Sequence, residues 1–285
     1  MDKTKNMGRL FICPTPIGNL EDITFRVIKT LNEVDLIAAE DTRHTIKLLN
    51  HFEIKKPLTS YHEHNKKEKG KVLIDRMIQG ENIAVVSDAG MPGISDPGED
   101  LVKLAIENGI EVTALPGPTA FVLGLVLSGL NTRKFVYEGF LSSNKKERKE
   151  ELRKLEKETR TIILYESPHR IKDLLEDMKE IMGNRNISVS RELTKKYEEI
   201  FRGNIEEALD RFNREDPRGE FVVVIQGVSI QEIEREERDK WENLSIRDHI
   251  TLYMSQNLSK KDAIKKVAKD RKLHKNEVYK EGLDL

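Results

Sequence analysis

The sequence predicts an α/β protein of two domains followed by a small all-α module, and three observations predict it. Short apolar runs alternate with segments of helical periodicity through residue 125, and again from about 134 to 227. Prolines and glycines gather where those runs end. Beyond residue 245 the strand-like runs stop, and two hydroxyl–carboxylate capping patterns take their place. At 285 residues the chain is longer than one compact core usually serves. The expected division is 1–130 and 131–228 for two α/β domains, 229–244 for an acidic linker and 245–285 for a basic helical, helix-turn-helix-like module.

In the first block, Leu10-Phe11-Ile12 is a strand that ends at Pro14, and Phe25, Ile28 and Leu31 mark a helix face. A second strand is expected at 35–39, a helix at 45–52, a third strand at 58–61 and a helix at 66–77. Ile83-Ala84-Val85-Val86 reads as a buried strand before a glycine-rich loop. Leu101, Leu104 and Ala105 mark a helix that Gly109 stops; a strand at 110–115 and a helix at 120–127 complete the block. Apolar strands alternating with helices predict a parallel sheet covered on both faces. The second block should place strands at 135–137, 161–165, 187–190 and 221–225, with helices at 145–157, 171–181 and 205–212; strand direction is left open. Residues 142–158 are almost wholly polar and read as an exposed helix laced with ion pairs. In the module, Ser245–Asp248 and Ser259–Asp262 pairs open two helices lined by Ile246, Ile250 and Tyr253, then by Ala263, Ile264, Val267 and Ala268. Val278, Tyr279 and Leu283 line a last short one. A small helical cap or dimerisation bundle is the plainer alternative.

Hydrophobic residues make up 37% and charged ones 35%, the balance of a soluble globular protein with a heavily charged surface. No apolar run approaches the roughly 18 residues a membrane span needs, and the start of the chain lacks a signal-peptide core. A single cysteine, Cys13, excludes an internal disulfide or a zinc-finger framework and points to a cytoplasmic location. Net charge is −1, but its distribution is uneven. Residues 259–280 hold nine Lys/Arg against three Asp/Glu, whereas 229–243 hold six acidic against three basic. Such a basic end fits nucleic acid, with Lys265, Lys269 and Lys275 as candidate phosphate contacts; a solvated helical surface is the alternative.

Seven of the nine prolines precede residue 119, and six of those seven fall in three loops that each follow an expected strand. These loops run from Pro14 to Asn19, from Ser87 to Gly98 and from Pro116 to Thr119. Open α/β sheets bind ligands beyond the carboxyl ends of their strands, so the loops should converge on one crevice. Neither GxGxxG nor GxxxxGK[ST] is present, which disfavours the usual dinucleotide and triphosphate cradles. The loops carry Asp88 and Asp96 and few cations, the wrong sign for phosphates. They suit a cationic ligand with hydroxyls, and S-adenosylmethionine fits that description. Glu40-Asp41-Thr42-Arg43-His44 offers an acid/base cluster at a strand end, with structural ion pairing as the alternative. His62 and His64 lack a third ligand, so no metal is expected.

The strings PTPIGNL (14–20), AAEDTRHT (38–45), SDAG (87–90), LPGP (115–118) and YESPHR (165–170) resemble the tetrapyrrole-methylase-like fold family, specifically its branch acting on small-subunit ribosomal RNA. The resemblance runs from about Arg9 to the end of the chain. It implies a two-domain tetrapyrrole-methylase-like fold and methyl transfer from S-adenosyl-L-methionine to the ribose 2′-hydroxyl of a decoding-region cytidine in 16S rRNA, at position 1402. It further implies a homodimer acting on the small ribosomal subunit. Carried over by position, Pro16, Asp88, Gly90, Met91, Thr119, Ala120 and Tyr165 would line the cofactor pocket. Met91 departs from the threonine expected after SDAG, a change expected to tune affinity. A ribose hydroxyl needs a base, for which Glu40, Asp41, His44, Glu166, His169, Glu192 and Lys195 are candidates. Glu40 and Glu166 are favoured because they sit at strand ends beside arginines, and Arg43, Arg170 and Arg191 would hold phosphates. The rivals are a tetrapyrrole-precursor methyltransferase and a ligand-sensing helix-turn-helix protein.

Overall fold

A computed structural model of the chain describes residues 7–214, 217–239, 241–283 and 285. Its contacts divide it into two compact units, Met1–Gln226 and Gly227–Leu285.

The first unit holds two five-stranded sheets. One contains β1 (Arg9–Ile12), β2 (Leu36–Ala39), β3 (Leu58–Ser60), β4 (Ile83–Val86) and β5 (Glu111–Ala114), in the order β3-β2-β4-β1-β5. Every pairing is parallel. The connecting helices are α1 (Phe25–Glu33), α2 (Thr42–His51), α3 (Lys66–Ile78) and α4 (Gly98–Glu107). Strand periodicity explains the uninterrupted apolar runs. Leu36 and Ala38 of β2, with Ile83 and Val85 of β4, join the core under α3 and α4. Their alternates Ile37, Ala39, Ala84 and Val86 join the core under α1 and α2. The chain leaves β1 towards β2 and leaves β4 towards β5, so the winding reverses between neighbours β1 and β4. That reversal is the topological switch point at which such sheets bind ligands.

Helix α5 (Ala120–Ser128), left with the first block by a boundary near 130, packs against the second sheet. That sheet comprises β6 (Phe135–Phe140), β7 (Thr161–Glu166), β8 (Asn186–Arg191), β9 (Glu199–Asn204) and β10 (Phe221–Ile225), in the order β6-β7-β10-β8-β9. Only β6 and β7 run parallel; the other neighbours are antiparallel. Phe221, Val223 and Ile225 face the core beneath α6 (Lys145–Leu155), α7 (Ile171–Met182) and α8 (Ile205–Arg214), while Val222 and Val224 face α5. The composition of β9 hides it, because an edge strand pairing only with β8 needs no apolar run.

Two expectations need correction. Helix α6 is not simply an exposed charged helix: Arg148, Leu152 and Leu155 are buried along one face. Arg148 gives both Nε (2.9 Å) and Nη2 (2.7 Å) to Oδ2 of Asp177 on α7, and both side chains are 2% exposed. The 45–52 helix starts earlier, at Thr42, because Asp41 caps it by accepting the Arg43 amide.

The second unit contains α9 (Ile230–Asp239), α10 (Ile246–Ser255), α11 (Lys260–Asp270) and α12 (Lys275–Glu281). Much of the acidic stretch read as a linker is thus helical. Ser245 and Ser259 accept the amides of Asp248 and Asp262, whose carboxylates accept the serine hydroxyls in return. Ile250, Ala263, Ile264, Val267, Ala268 and Val278 form the core. The exposed side of α11 carries Lys265 and Lys269, and Lys275 opens α12.

His249 is fully buried in this unit, stacked on Trp241 at 4.8 Å and 13°. Its Nδ1 accepts from Arg271 Nε (3.2 Å), which fixes the proton of the neutral ring on Nε2. Burial first, and the Arg271 guanidinium second, lower the imidazole below its ordinary 6.5. The unfolded chain therefore binds the extra proton, and stability stays level above about pH 6.5 and declines as pH falls through that value. Trp241 is the only tryptophan, so its fluorescence reports on this unit. Its urea midpoint should drop between about pH 7.5 and about pH 5.5, and His249→Phe should flatten that dependence. An equal slope in the variant would assign the effect to another group.

Candidate functional site

Three loops meet at the switch point, as their proline and glycine content predicts. Thr15 and Gly90 exchange backbone hydrogen bonds (2.9 and 3.0 Å), joining the loop after β1 to the loop after β4. Thr15 Oγ1 also donates to the Ser87 carbonyl at 3.1 Å. Gly90 sits at φ +82°, a conformation that favours glycine. The third loop closes against the first at Gly117, where an added Cβ would stand 2.2 Å from Pro14 Cγ.

These loops form one wall of a cleft of about 310 Å³, and the carboxyl ends of β7, β8 and the segment leading into β10 form the other. Ile17, Glu40, Asp88, Gly90 and Met91 line the first wall, together with Asp96. Thr119 and Ala120 line it at the start of α5, and Tyr165, Glu166, Glu192, Lys195 and Glu220 line the second wall. Of the pocket residues implied by resemblance, all but Pro16 line the cleft; Pro16 is half-buried beside Ile17, which does. Both favoured carboxylates, Glu40 and Glu166, line it too.

The carboxylates are held by backbone. Asp88 Oδ1 accepts the Asp41 amide (3.0 Å), and Asp96 Oδ1 accepts the amides of Gly93 and Gly98 (2.8 Å each). Burial raises Asp96 above the usual carboxylate range. Glu40 is raised by burial and next by the negative charge of Asp88. Glu166 is 1% exposed; burial raises it, although Oε1 accepts the Ser167 amide (2.7 Å) and Oε2 lies 3.2 Å from Arg170 Nη2. Tyr165 spans the two walls, its hydroxyl accepting the Phe121 amide (3.1 Å) in the first turn of α5. Ser95, at φ +64°, reaches the Tyr137 hydroxyl at 2.7 Å and so ties the loop after β4 to the second sheet.

The arginines expected at phosphates all have internal partners. Arg43 turns back on Asp41 (2.7 Å), Arg170 donates to the Leu141 carbonyl (2.7 Å) and Arg191 pairs with Glu199 (2.8 Å). None of them lines the cleft, nor do Asp41, His44 and His169. Sequence reasoning placed Ser95 in a crevice loop without singling it out and missed Phe140 and Glu220; all three line the cleft. A strand terminus was the available signal for Phe140 and Glu220; nothing local distinguished Ser95.

Gly117→Ala should cost about 1–3 kcal/mol, because the rigid Pro14 ring cannot yield to the new methyl and the loops must part. Urea denaturation followed by circular dichroism checks this, and an unchanged midpoint would show that the loops are not tightly joined.

Comparison with known proteins bears on this arrangement. The family model for Tetrapyrrole (Corrin/Porphyrin) Methylases matches residues 9–209. A Bacillus subtilis protein named Ribosomal RNA small subunit methyltransferase I is 51% identical over 96% of this chain and 94% of its own. A Thermotoga maritima protein of the same name is 49% identical over 78% of this chain and 99% of its own, so part of this chain lies outside that match. Among solved structures, the methyltransferase CobJ aligns with a TM-score of 0.59 at 19% identity, covering 78% of this chain and 95% of that one. Uroporphyrin-III C-methyl transferase from Thermus thermophilus, complexed with S-adenyl homocysteine, aligns at 0.55 and 15% identity over 77% of this chain and 97% of that one. At such identities the likeness is one of fold. The family match, however, runs from β1 through β9, over most of the chain and every strand but β10, and on that ground the chain belongs to the tetrapyrrole (corrin/porphyrin) methylases.

Proposed function

We propose that this chain transfers a methyl group from S-adenosylmethionine to the ribose 2′-hydroxyl of a decoding-region cytidine in 16S rRNA, position 1402, acting as a cytoplasmic homodimer on the small ribosomal subunit. The observation that carries the reading is a cleft at the switch point that combines carboxylates with rigid, backbone-rich loops. The donor brings a methyl group already activated by a sulfonium, and its positive charges suit the carboxylates of that cleft. The names of the curated relatives support ribosomal RNA as the acceptor.

The chain's own contribution is to orient and to take a proton. Pro16 stiffens the first loop while Asp88, Gly90, Met91, Thr119, Ala120 and Tyr165 receive the donor. As the 2′-oxygen forms its bond to the methyl carbon, its proton needs an acceptor close by. Glu40 is the first candidate, because burial and Asp88 raise its pKa and make it a stronger base than an ordinary carboxylate. Glu166 is the second, raised by burial at the opposite wall. In the helical unit, Lys265, Lys269 and Lys275 offer phosphate contacts. Arg43, Arg170 and Arg191 lie outside the cleft lining and already hold internal partners, so they would meet phosphates beyond the cleft.

The deciding experiment incubates labelled S-adenosylmethionine with small subunits lacking the modification and maps 2′-O-methylation in the extracted RNA. One labelled decoding-region cytidine is the expected result; donor binding without RNA labelling would favour a small-molecule acceptor. Glu40→Gln should lower kcat by about 10²- to 10⁴-fold, with Glu166→Gln losing less if Glu40 is the base. Wild-type kcat/KM should rise with pH through the raised Glu40 pKa and then level, since only the ionised carboxylate accepts a proton. A net charge of −1 further predicts that assembled subunits outcompete naked 16S rRNA, because phosphate contacts dominate binding to free RNA. Equal rates on the two substrates would refute that preference. Removing residues 245–285 should weaken RNA methylation while leaving donor affinity unchanged.

A further inference from the structure

Among the described residues that line the cleft, Lys195 is the single cation, beside the carboxylates of Glu40, Asp88, Asp96, Glu166, Glu192 and Glu220 in the same lining. Such a field favours a cationic donor and opposes a polyanionic acceptor. Like charges brought a few ångströms apart repel, and more strongly where the surroundings are partly dry. A phosphodiester brought to this cleft therefore needs a local positive charge, and the chain supplies one there.

Lys195 is held in place at some conformational cost. Its Nζ lies 2.9 Å from Glu192 Oε1. Its stem fills the space left open by Gly18, where a Cβ would stand 2.3 Å from Lys195 Cγ. Thr194 Oγ1, beside it, accepts the Asn19 amide at 3.2 Å. Glu192 and Thr194 have φ values of +50° and +67°, left-handed conformations that strain a residue with a side chain. Gly219, at φ +81°, leaves room for the Glu192 carboxylate, which an added Cβ would approach within 2.3 Å. Burial pushes Glu192 up, but the Lys195 hydrogen bond and the Glu220 amide outweigh it and hold the carboxylate ionised. A plain connection between β8 and β9 requires none of this.

We infer that Lys195 is a substrate-binding residue that meets the phosphate flanking the target ribose, with Glu192 holding its ammonium at the cleft wall until RNA arrives. This rests on the RNA-ribose reading above. The ammonium exchanges one anionic partner for another and keeps its proton, while Glu192 retains the Glu220 amide at 3.3 Å. Lys195 thus acts on binding, and the base acts on the proton.

The test compares full-length wild type, Lys195→Met and Lys195→Arg on small subunits lacking the modification. Lys195→Met should raise KM for the subunit about tenfold and reduce the slope of log affinity against log salt by about 0.7, one single-strand phosphate contact. Lys195→Arg should restore most of the affinity, because the charge is retained. Donor affinity by calorimetry should not weaken in either variant, since the cation lost in Lys195→Met repels a sulfonium rather than holding it. An unchanged salt slope and KM in Lys195→Met would overturn the assignment, as would an arginine variant as poor as the methionine one. Failure of these variants alone leaves RNA methylation standing. A wild-type enzyme that binds the donor but labels no RNA would remove that reading and this assignment with it.

Discussion

The pair of backbone hydrogen bonds between Thr15 and Gly90 is the constraint on which the cleft depends. It joins the loops after β1 and β4, the two central strands from which the chain departs in opposite directions. Backbone bonds of this kind are indifferent to side-chain identity but demanding of conformation, which is why Gly90 at φ +82° is the residue that makes them. With that bridge closed, Ile17 lies against Gly90 and Pro14 is pressed onto Gly117. Each loop is rigid because the other two are, and a wall assembled in this way loses little further entropy when a ligand arrives.

The opposite wall obeys a different logic. It is carried by a mixed sheet whose two faces are both covered, by α6–α8 on one side and α5 on the other. Because α5 follows directly from the third loop, the element that ends the first wall is also the one packed against the second. The Phe121 amide on the Tyr165 hydroxyl and Ser95 on Tyr137 reinforce that junction. Aromatic rings continue it, with Tyr137 and Tyr165 edge-on at 5.3 Å. The spacing between the walls is therefore set by packing inside one compact unit.

The parallel sheet was legible in the sequence because strands buried on both faces must be apolar at every position, as β2 and β4 are. The loops were legible because proline and glycine have few other reasons to cluster at strand ends. Edge strand β9 was not, since exposure on one side relaxes the composition rule. The burial of Arg148 was equally hidden: its partner Asp177 lies 29 positions away, and a charged helix reads the same whether or not one of its cations points inward. The same blindness applied to Arg170, whose partner Leu141 is 29 positions away. A residue type and a strand-end position indicate what chemistry is available, whereas the partner that already occupies it is a matter of tertiary geometry.

The charge of the cleft links two properties that would otherwise need separate explanations. Gathering carboxylates makes the cleft attractive to a sulfonium and an ammonium. The same gathering makes Glu40 harder to ionise, because Asp88 beside it is negative and its surroundings are partly dry. Glu40 shows both influences, burial first and Asp88 second. On the proposed reaction, the field that recruits the donor is thus the field that strengthens the base, and Asp88 contributes to both while touching neither the methyl nor the proton. A cation arriving in the cleft would then lower the Glu40 pKa again, favouring the ionised form when the donor is in place. Binding of the donor and readiness of the base become coupled through charge alone, with no moving part required.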